Sequence, residues 1–127
     1  MFEHQKEART FRVLMGQPID SFNPVAASLQ QSLISEEYHE FLEAHSESCV
    51  YIQNKRAREH ALKELADLAY VCYQYAAAVG WDLDEALTRV HKSNLSKLDD
   101  DLKPIKRADG KVMKGPNYQP ANLIDLV

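Results

Sequence analysis

The chain has 127 residues, 45% of them hydrophobic, with only four glycines and five prolines, which indicates one globular domain and excludes a disordered chain. The formal net charge of −4 argues against a general nucleic-acid binder, and no apolar run reaches membrane-spanning length. The two cysteines stand apart, without metal-binding spacing. We therefore expect reduced, structural thiols in an unexported protein.

Four helices are predicted over the first 98 residues, beginning with one over residues 2–15 that stops at Gly16. Its apolar contacts are assigned to four side chains: Phe2, Phe11, Leu14 and Met15. The second helix extends from Pro24, which suits a first helical turn, to about Ser46. Three polar residues before it are candidates for its cap: Asp20, Ser21 and Asn23.

A third helix is predicted over about residues 55–79, ending at Gly80, and the segment that precedes it is ambiguous between a bend and a loop. The fourth helix is predicted over about residues 83–98. Asp82 and Glu85 form a pattern typical of a capping box at its start. Four helices in this order predict an all-α fold, a bundle of four to five helices.

Hydrophobic periodicity disappears after the fourth helix, where turn-forming residues take over. Residues 99–127 are therefore predicted to form an irregular, ordered C-terminal arm that does not fold alone. Within the arm, Asp109-Gly110 could close a small hairpin. The predicted organisation is a single domain over residues 1–127, with a helical core at 1–98 followed by the arm.

Two acidic motifs organise the chain: EEYHE, beginning at Glu36, and ELAD, which follows after 23 residues and begins at Glu64. Each motif places two acids three residues apart, so that Glu37 and Glu40 project from one side of their helix, and Glu64 and Asp67 from one side of theirs. If the two helices lie side by side, four or five carboxylates come close together.

The first set of acids falls on the stripe that should face the core, together with Leu29, Leu33 and Ala44. A solvated acidic face is the plainer interpretation of the first motif alone. The helix that carries the second motif, however, is apolar almost all round, which predicts an interior position where unpaired acids are rarely tolerated. Hard oxygen ligands in this number suit Mg²⁺ or Mn²⁺. The excess apolar surface of these helices also predicts a homo-oligomer.

Further motifs link the chain to a known family. FRVLMGQP (Phe11 to Pro18), the two acidic motifs, HKSNLSKL (His91 to Leu98) and DGKVMKGPNY (Asp109 to Tyr118) occur in this order over nearly the whole chain. In these elements the chain resembles the MazG-like, all-α nucleoside triphosphate pyrophosphohydrolases. The similarity is closest to the small single-domain members found in bacteria and phages.

The resemblance implies hydrolysis of an NTP or dNTP between the α- and β-phosphates, with two or more Mg²⁺ or Mn²⁺ ions, by a homodimer or homotetramer in the cytoplasm of a bacterium or a phage-infected host. Motif positions assign four metal ligands: Glu37, Glu40, Glu64 and Asp67. Glu36 is assigned as an outer base or as a ligand of a further ion. Either Glu36 or Glu40 would accept the proton of the attacking water.

Cations and amides in or near the other matching motifs are the candidates for contacts with the substrate. The candidates for the phosphates are Lys97, Lys114, Arg107 and Asn94. Tyr118 would stack or close on the nucleotide as part of a lid, and Gln17 would read the base edge. Plain packing is the alternative for both residues.

The sequence does not decide between several substrates. A guanine nucleotide, dGTP or GTP, is the preferred hypothesis because phage relatives include such enzymes; dUTP or dCTP, a broad house-cleaning activity and the related phosphoribosyl-ATP reaction are alternatives. A helical adaptor without catalytic activity is the rival from another class, although all the motif acids are present. A nucleic-acid binder that uses the basic C-terminal segment conflicts with the acidity of the chain.

Overall fold

A computed structural model describes residues 3–127, and in that range the chain forms four α-helices, two short strands and a C-terminal 3-10 turn. The helices are α1 (Glu3–Leu14), α2 (Pro24–Val50), α3 (Lys55–Val79) and α4 (Leu83–Leu95). The predicted all-α class is therefore confirmed. Phe2, assigned an apolar contact from the sequence, lies outside the described residues. Within residues 3–127 no helix has the length and apolar character needed to cross a membrane.

Asparagine caps set the beginnings of the two longest helices. Asn23 accepts a hydrogen bond from the main-chain N–H of Val25 at 2.9 Å, and Pro24 then occupies the first helical position, where its missing N–H costs nothing. Of the three candidate caps of α2, the structure selects Asn23. Asn54 caps α3 in the same way and accepts from the N–H of Arg56 at 3.0 Å.

Two helix ends differ from their predicted positions. The α2 helix continues past Ser46 to Val50, because no glycine or proline interrupts it there. The α4 helix stops before Leu98, because the next main-chain N–H groups bind carbonyls three residues back: Lys97 donates to Asn94 at 3.2 Å and Leu98 donates to Leu95 at 3.3 Å. Just past the helix end, the hydroxyl of Ser96 accepts a hydrogen bond from the main-chain N–H of Gln119 at 2.9 Å, a contact between residues far apart in the sequence.

The chain divides into two compact units, Met1–Trp81 and Asp82–Val127, which we describe separately. The first unit holds α1 to α3, and the second holds α4 and the arm. The organisation predicted from the sequence, one domain over residues 1–127 with its core at 1–98 and its arm at 99–127, stays a prediction.

In the first unit, α2 and α3 form an antiparallel hairpin joined by residues 51–54, and α1 packs against α3. The buried apolar residues are almost all small: Ala8, Ala27, Ala44, Ala57, Ala76, Ala77, Ala78 and Val79. Side chains of this size let helix axes approach closely, although each of them buries little apolar area.

The larger apolar side chains of the first unit lie outside this alanine-rich interior. Leu62 of α3 is 67% exposed and Leu29 of α2 is 60% exposed. The interior position expected for α3 is therefore wrong for the face that carries Leu62 in the single chain. The contacts assigned to Leu14 and Met15 are also wrong, since both side chains are largely exposed.

In the second unit the arm is tied to α4 by specific polar contacts. Strands β1 (Ile105–Lys106) and β2 (Val112–Met113) pair antiparallel across a turn at Gly110, which confirms the predicted hairpin. Arg89 of α4 binds the Asp125 carboxylate through both terminal nitrogens, at 2.6 and 2.9 Å. These contacts hold the C-terminal end of the arm against α4.

Candidate metal centre

Three carboxylates of the two acidic motifs meet between α2 and α3. One oxygen from each of Glu37, Glu40 and Glu64 lies within 4.8 Å of the other two. Glu37 and Glu40 stand three residues apart on α2, and the antiparallel course of α3 brings Glu64 opposite them. We call these three residues the acid cluster.

The acid cluster contains buried oxygens that lack a partner. Glu64 is only 7% exposed, and Glu37 is half-buried. The Oε2 atoms of both are buried without a hydrogen-bond partner in the described structure. Leaving a buried carboxylate oxygen unpaired costs free energy, so this arrangement favours a cationic ligand.

Burial and the neighbouring acids together raise the pKa of Glu37. Burial raises the pKa of this carboxyl, and a hydrogen bond to Glu40 raises it further. The negative charges of Glu40, Asp67 and Glu64 add to the rise in its pKa. A divalent cation among these oxygens would reverse the effect, because an opposite charge favours the ionised carboxylate.

Asp67, the fourth predicted ligand, has a cationic neighbour on its own helix. The ammonium group of Lys63 lies 2.5 Å from Asp67 Oδ2 and 3.7 Å from Glu64 Oε1. Asp67 is close enough to contribute to the raised pKa of Glu37 but does not belong to the acid cluster. Glu36, the predicted base, is exposed on α2. The roles assigned to all five acids stay predictions.

The donors present fit a hard divalent cation. All three members of the acid cluster are carboxylates, the ligands that Mg²⁺ and Mn²⁺ prefer. A second, independent observation is that Glu37 Oε2 and Glu64 Oε2 are buried without a hydrogen-bond partner in the described residues. Together these features distinguish the cluster from an ordinary acidic helix surface.

His60, which none of the sequence motifs singles out, lies beside the acid cluster. Its Nε2 is 3.2 Å from Glu64 Oε1, and its Nδ1 is 3.8 Å from Glu47 Oε2 of α2. The signal available in the sequence was the spacing of four residues between His60 and Glu64, which places both on one face of a helix.

The predicted phosphate-binding cations of the second unit make contacts within that unit. Arg107 binds Asp109 in the hairpin turn, with Nε 2.9 Å from Oδ1. The ammonium group of Lys114 lies 4.8 Å from the centre of the Tyr118 ring, a cation–π distance. Lys97 was predicted on the fourth helix but follows its end.

The remaining two predicted substrate contacts are solvent-exposed. Asn94 lies in the last turn of α4. Gln17 lies in the loop after α1, where its main-chain N–H donates to the Arg12 carbonyl oxygen at 2.8 Å. This loop is held to α3 by hydrogen bonds from the N–H groups of Asp20 and Ser21 to the Ala77 and Ala78 carbonyls, both at 3.1 Å. The roles proposed for Asn94, Lys97, Arg107, Lys114, Tyr118 and Gln17 stay predictions.

The chain is all-α, and acidic residues of two antiparallel helices converge in it. The model of the phosphoribosyl-ATP pyrophosphohydrolase family matches residues 8–94. The match covers more than half of the chain and includes both acidic motifs, and the chain belongs to this family. It is therefore a hydrolase that acts on phosphoric anhydrides, and the resemblance to the MazG-like group is confirmed at the level of the superfamily. No curated protein matches the chain.

Proposed function

We propose that this chain is a metal-dependent nucleoside triphosphate pyrophosphohydrolase that cleaves an NTP or dNTP between the α- and β-phosphates, releasing the monophosphate and pyrophosphate. The observation that carries the proposal is the acid cluster, with two buried oxygens that lack a partner. Family membership supplies the reaction class. Two or more Mg²⁺ or Mn²⁺ ions are the proposed cofactors, and the cytoplasm is the proposed location.

The proposed mechanism is mainly electrostatic, because the substrate concentrates negative charge where water must attack. A bound divalent cation supplies neutralisation of the phosphate oxygens and activation of water. Glu37 and Glu64 each present a buried oxygen that binds no other group of the described residues, and Glu40 adds a third carboxylate beside them. Asp67 would join them after leaving Lys63. The proposed proton acceptor is either Glu36, which is exposed and outside the acid cluster, or Glu40, which belongs to it.

The base preference is a separate proposal. The preferred substrate is a guanine nucleotide, and Gln17 is the residue proposed to recognise its base. Gln17 is exposed, and the loop that carries it is fixed by the hydrogen bonds of Asp20 and Ser21 to α3. An amide side chain can donate to and accept from a base edge. The second candidate substrate is phosphoribosyl-ATP, which the description of the matching family favours. A dUTP or dCTP preference and a broad activity are the remaining alternatives.

We also propose that the chain acts as a homodimer or homotetramer. The support is the position of large apolar side chains, such as Leu29 and Leu62, on the outer surfaces of α2 and α3. Apolar surface of this kind is commonly covered by another subunit. A second copy would add burial that the alanine-rich interior cannot supply by itself.

Product analysis tests the reaction. Common ribo- and deoxyribonucleoside triphosphates and phosphoribosyl-ATP are each incubated with the protein and Mg²⁺ or Mn²⁺, and the products are separated by anion-exchange chromatography. We expect monophosphate and pyrophosphate from the preferred substrate. We expect no turnover from Glu64→Gln, while Glu43→Gln, an exposed acid on α2 outside the cluster, stays active.

Diphosphate with orthophosphate would contradict the proposed cleavage site. Nucleotide binding without any turnover would instead support a catalytically silent adaptor. The preferred nucleotide is identified by comparing kcat/KM across the panel, since that ratio measures discrimination between competing substrates. A Gln17→Ala variant that keeps the same order of preference would remove Gln17 from base recognition.

A further inference from the structure

The two oxygens of Glu64 have different surroundings. Oε1 lies 3.2 Å from Nε2 of His60, whereas Oε2 is buried without a hydrogen-bond partner among residues 3–127. Because an ionised carboxylate only accepts hydrogen bonds, the imidazole N–H is the donor in this contact. Oε1 of Glu64 is therefore fixed by a hydrogen bond, whereas Oε2 can bind a ligand.

His60 is itself placed by both helices of the hairpin. It precedes Glu64 by one turn of α3, and its other nitrogen faces Glu47 Oε2 of α2 at 3.8 Å. The imidazole thus has a carboxylate next to each of its ring nitrogens. Rotation of the ring away from Glu64 would give up both neighbours at once.

We propose that His60, supported by Glu47, is a positioning residue that holds Glu64 Oε1 so that Oε2 is presented to a divalent cation. The inference rests on the proposed function and deepens it. A terminal carboxylate torsion is broad and has little intrinsic preference, so an external hydrogen bond is needed to fix it. Outer contacts of this kind typically change metal affinity by about 10- to 100-fold.

Lys63 does not replace His60 in this role. Its ammonium group is 3.7 Å from Glu64 Oε1 but 2.5 Å from Asp67 Oδ2. Its side chain is also 65% exposed, so its long stem is free to follow Asp67. An imidazole ring with fewer rotatable bonds loses less freedom when it holds a carboxylate.

The test measures Mn²⁺ binding without nucleotide, by the electron paramagnetic resonance signal of the free ion. His60→Leu removes the donor, and His60→Gln keeps an amide N–H at a similar reach. His45→Leu is the matched control, because His45 lies on α2 against Cys49. We expect His60→Leu to weaken Mn²⁺ binding by about 10- to 100-fold, His60→Gln to recover most of the loss, and His45→Leu to bind like the unmodified protein.

Circular dichroism melting of each variant establishes that the helices are folded. Equal Mn²⁺ affinity in His60→Leu and the unmodified protein, with weakened binding in Glu64→Gln, would overturn the positioning role and leave the metal centre intact. Absence of Mn²⁺ binding by the unmodified protein would instead overturn the proposed metal-dependent function, and the positioning role with it. Loss in both His60→Leu and His60→Gln would also count against a role based on hydrogen bonding.

Discussion

Gly115 lies against the main chain of Lys97: a Cβ atom built on Gly115 would be closer to the Lys97 carbonyl oxygen than real Cβ atoms come to any neighbour. The next nearest atom is the carbonyl oxygen of Leu98, at 3.1 Å. Both neighbours are backbone atoms, which cannot move aside as the end of a side chain can. The absence of a side chain at Gly115 therefore allows the arm to approach the residues that follow α4.

We expect Gly115→Ala to loosen the arm, with a cost of about 1–3 kcal/mol as for other overpacked sites. Limited proteolysis should show faster cleavage in the arm of this variant. Gly110→Asn is the control, because no atom lies within 4 Å of a Cβ there and Asn tolerates its left-handed backbone. Equal cleavage rates in the Gly115→Ala variant and the unmodified protein would show that this approach does not hold the arm.

The raised pKa of Glu37 predicts how the metal-free protein responds to pH. Because the folded state binds this proton more tightly than the unfolded state, ionising Glu37 destabilises the fold. Below its ordinary pKa of 4.5 the penalty is absent; it grows as pH rises and is complete above the raised pKa. Above that pKa, Glu37→Gln should therefore be more stable than the unmodified protein, with a smaller difference at low pH. Denaturant melts in a chelator across this range measure the difference; a difference that does not change with pH would contradict the assignment.

Adding a divalent cation should remove that penalty and stabilise the fold. At about 100 times its dissociation constant, a ligand specific to the folded state adds about 2.7 kcal/mol. Thermal melts with increasing Mn²⁺ should show a rising Tm for the unmodified protein and a much smaller rise for Glu64→Gln. Glu43→Gln serves as the control and should respond like the unmodified protein. An equal rise in all three would place the binding ion elsewhere.

Removing the ammonium group beside Asp67 should improve cation binding. Lys63→Met keeps the aliphatic stem but frees Asp67 and removes a repelling positive charge. Because Lys63 is exposed, we expect a modest effect, about two- to fivefold tighter Mn²⁺ binding. Lys55→Met, at the exposed start of α3, is the control. Weaker binding in Lys63→Met would show that this lysine supports the metal centre.

The exposed leucine at the surface of α3 should report on oligomerisation. Leu62→Lys introduces a charge on a side chain that is 67% exposed in the single chain, so it should be tolerated by the monomer and rejected by an apolar interface. Light scattering coupled to gel filtration should show a smaller species for this variant. Leu102→Lys, in the arm and 78% exposed, is the control. An unchanged mass for Leu62→Lys would exclude this part of α3 from a subunit interface.

Local signals accounted for most of the helical structure. Asn23, Asn54 and Asp82 each cap a helix, and Gly80 ends α3 with a positive φ of 85°, which other residues rarely adopt. The i,i+3 spacing within each acidic motif likewise predicted which carboxylates share a helix face. These features depend only on residues close in the sequence, and they could be read without the structure.

Contacts between residues far apart could not be predicted in the same way. Gln119 donates a hydrogen bond to Ser96 just past the end of α4, and Glu47 of the other helix lies beside His60. The pairing of Lys63 with Asp67 is local. Spacing alone, however, does not decide whether a lysine forms an ion pair with such an acid or extends into solvent. The surface position of Leu62 shows that an apolar residue does not have to be buried within its own chain.

The alanine-rich interior of the helical hairpin restricts which mutations the acid cluster can tolerate. Ala44 follows Glu40 by one turn of α2, and Ala57 precedes Glu64 on α3; both are buried. Enlarging either side chain would wedge the helices apart and lengthen the span that Glu37, Glu40 and Glu64 must bridge, even though neither alanine carries a reactive group. Bulkier residues at Ala44 or Ala57 should therefore have the same effect as the loss of a carboxylate. The small size of these two buried side chains keeps the carboxylates of α2 and α3 within reach of one another.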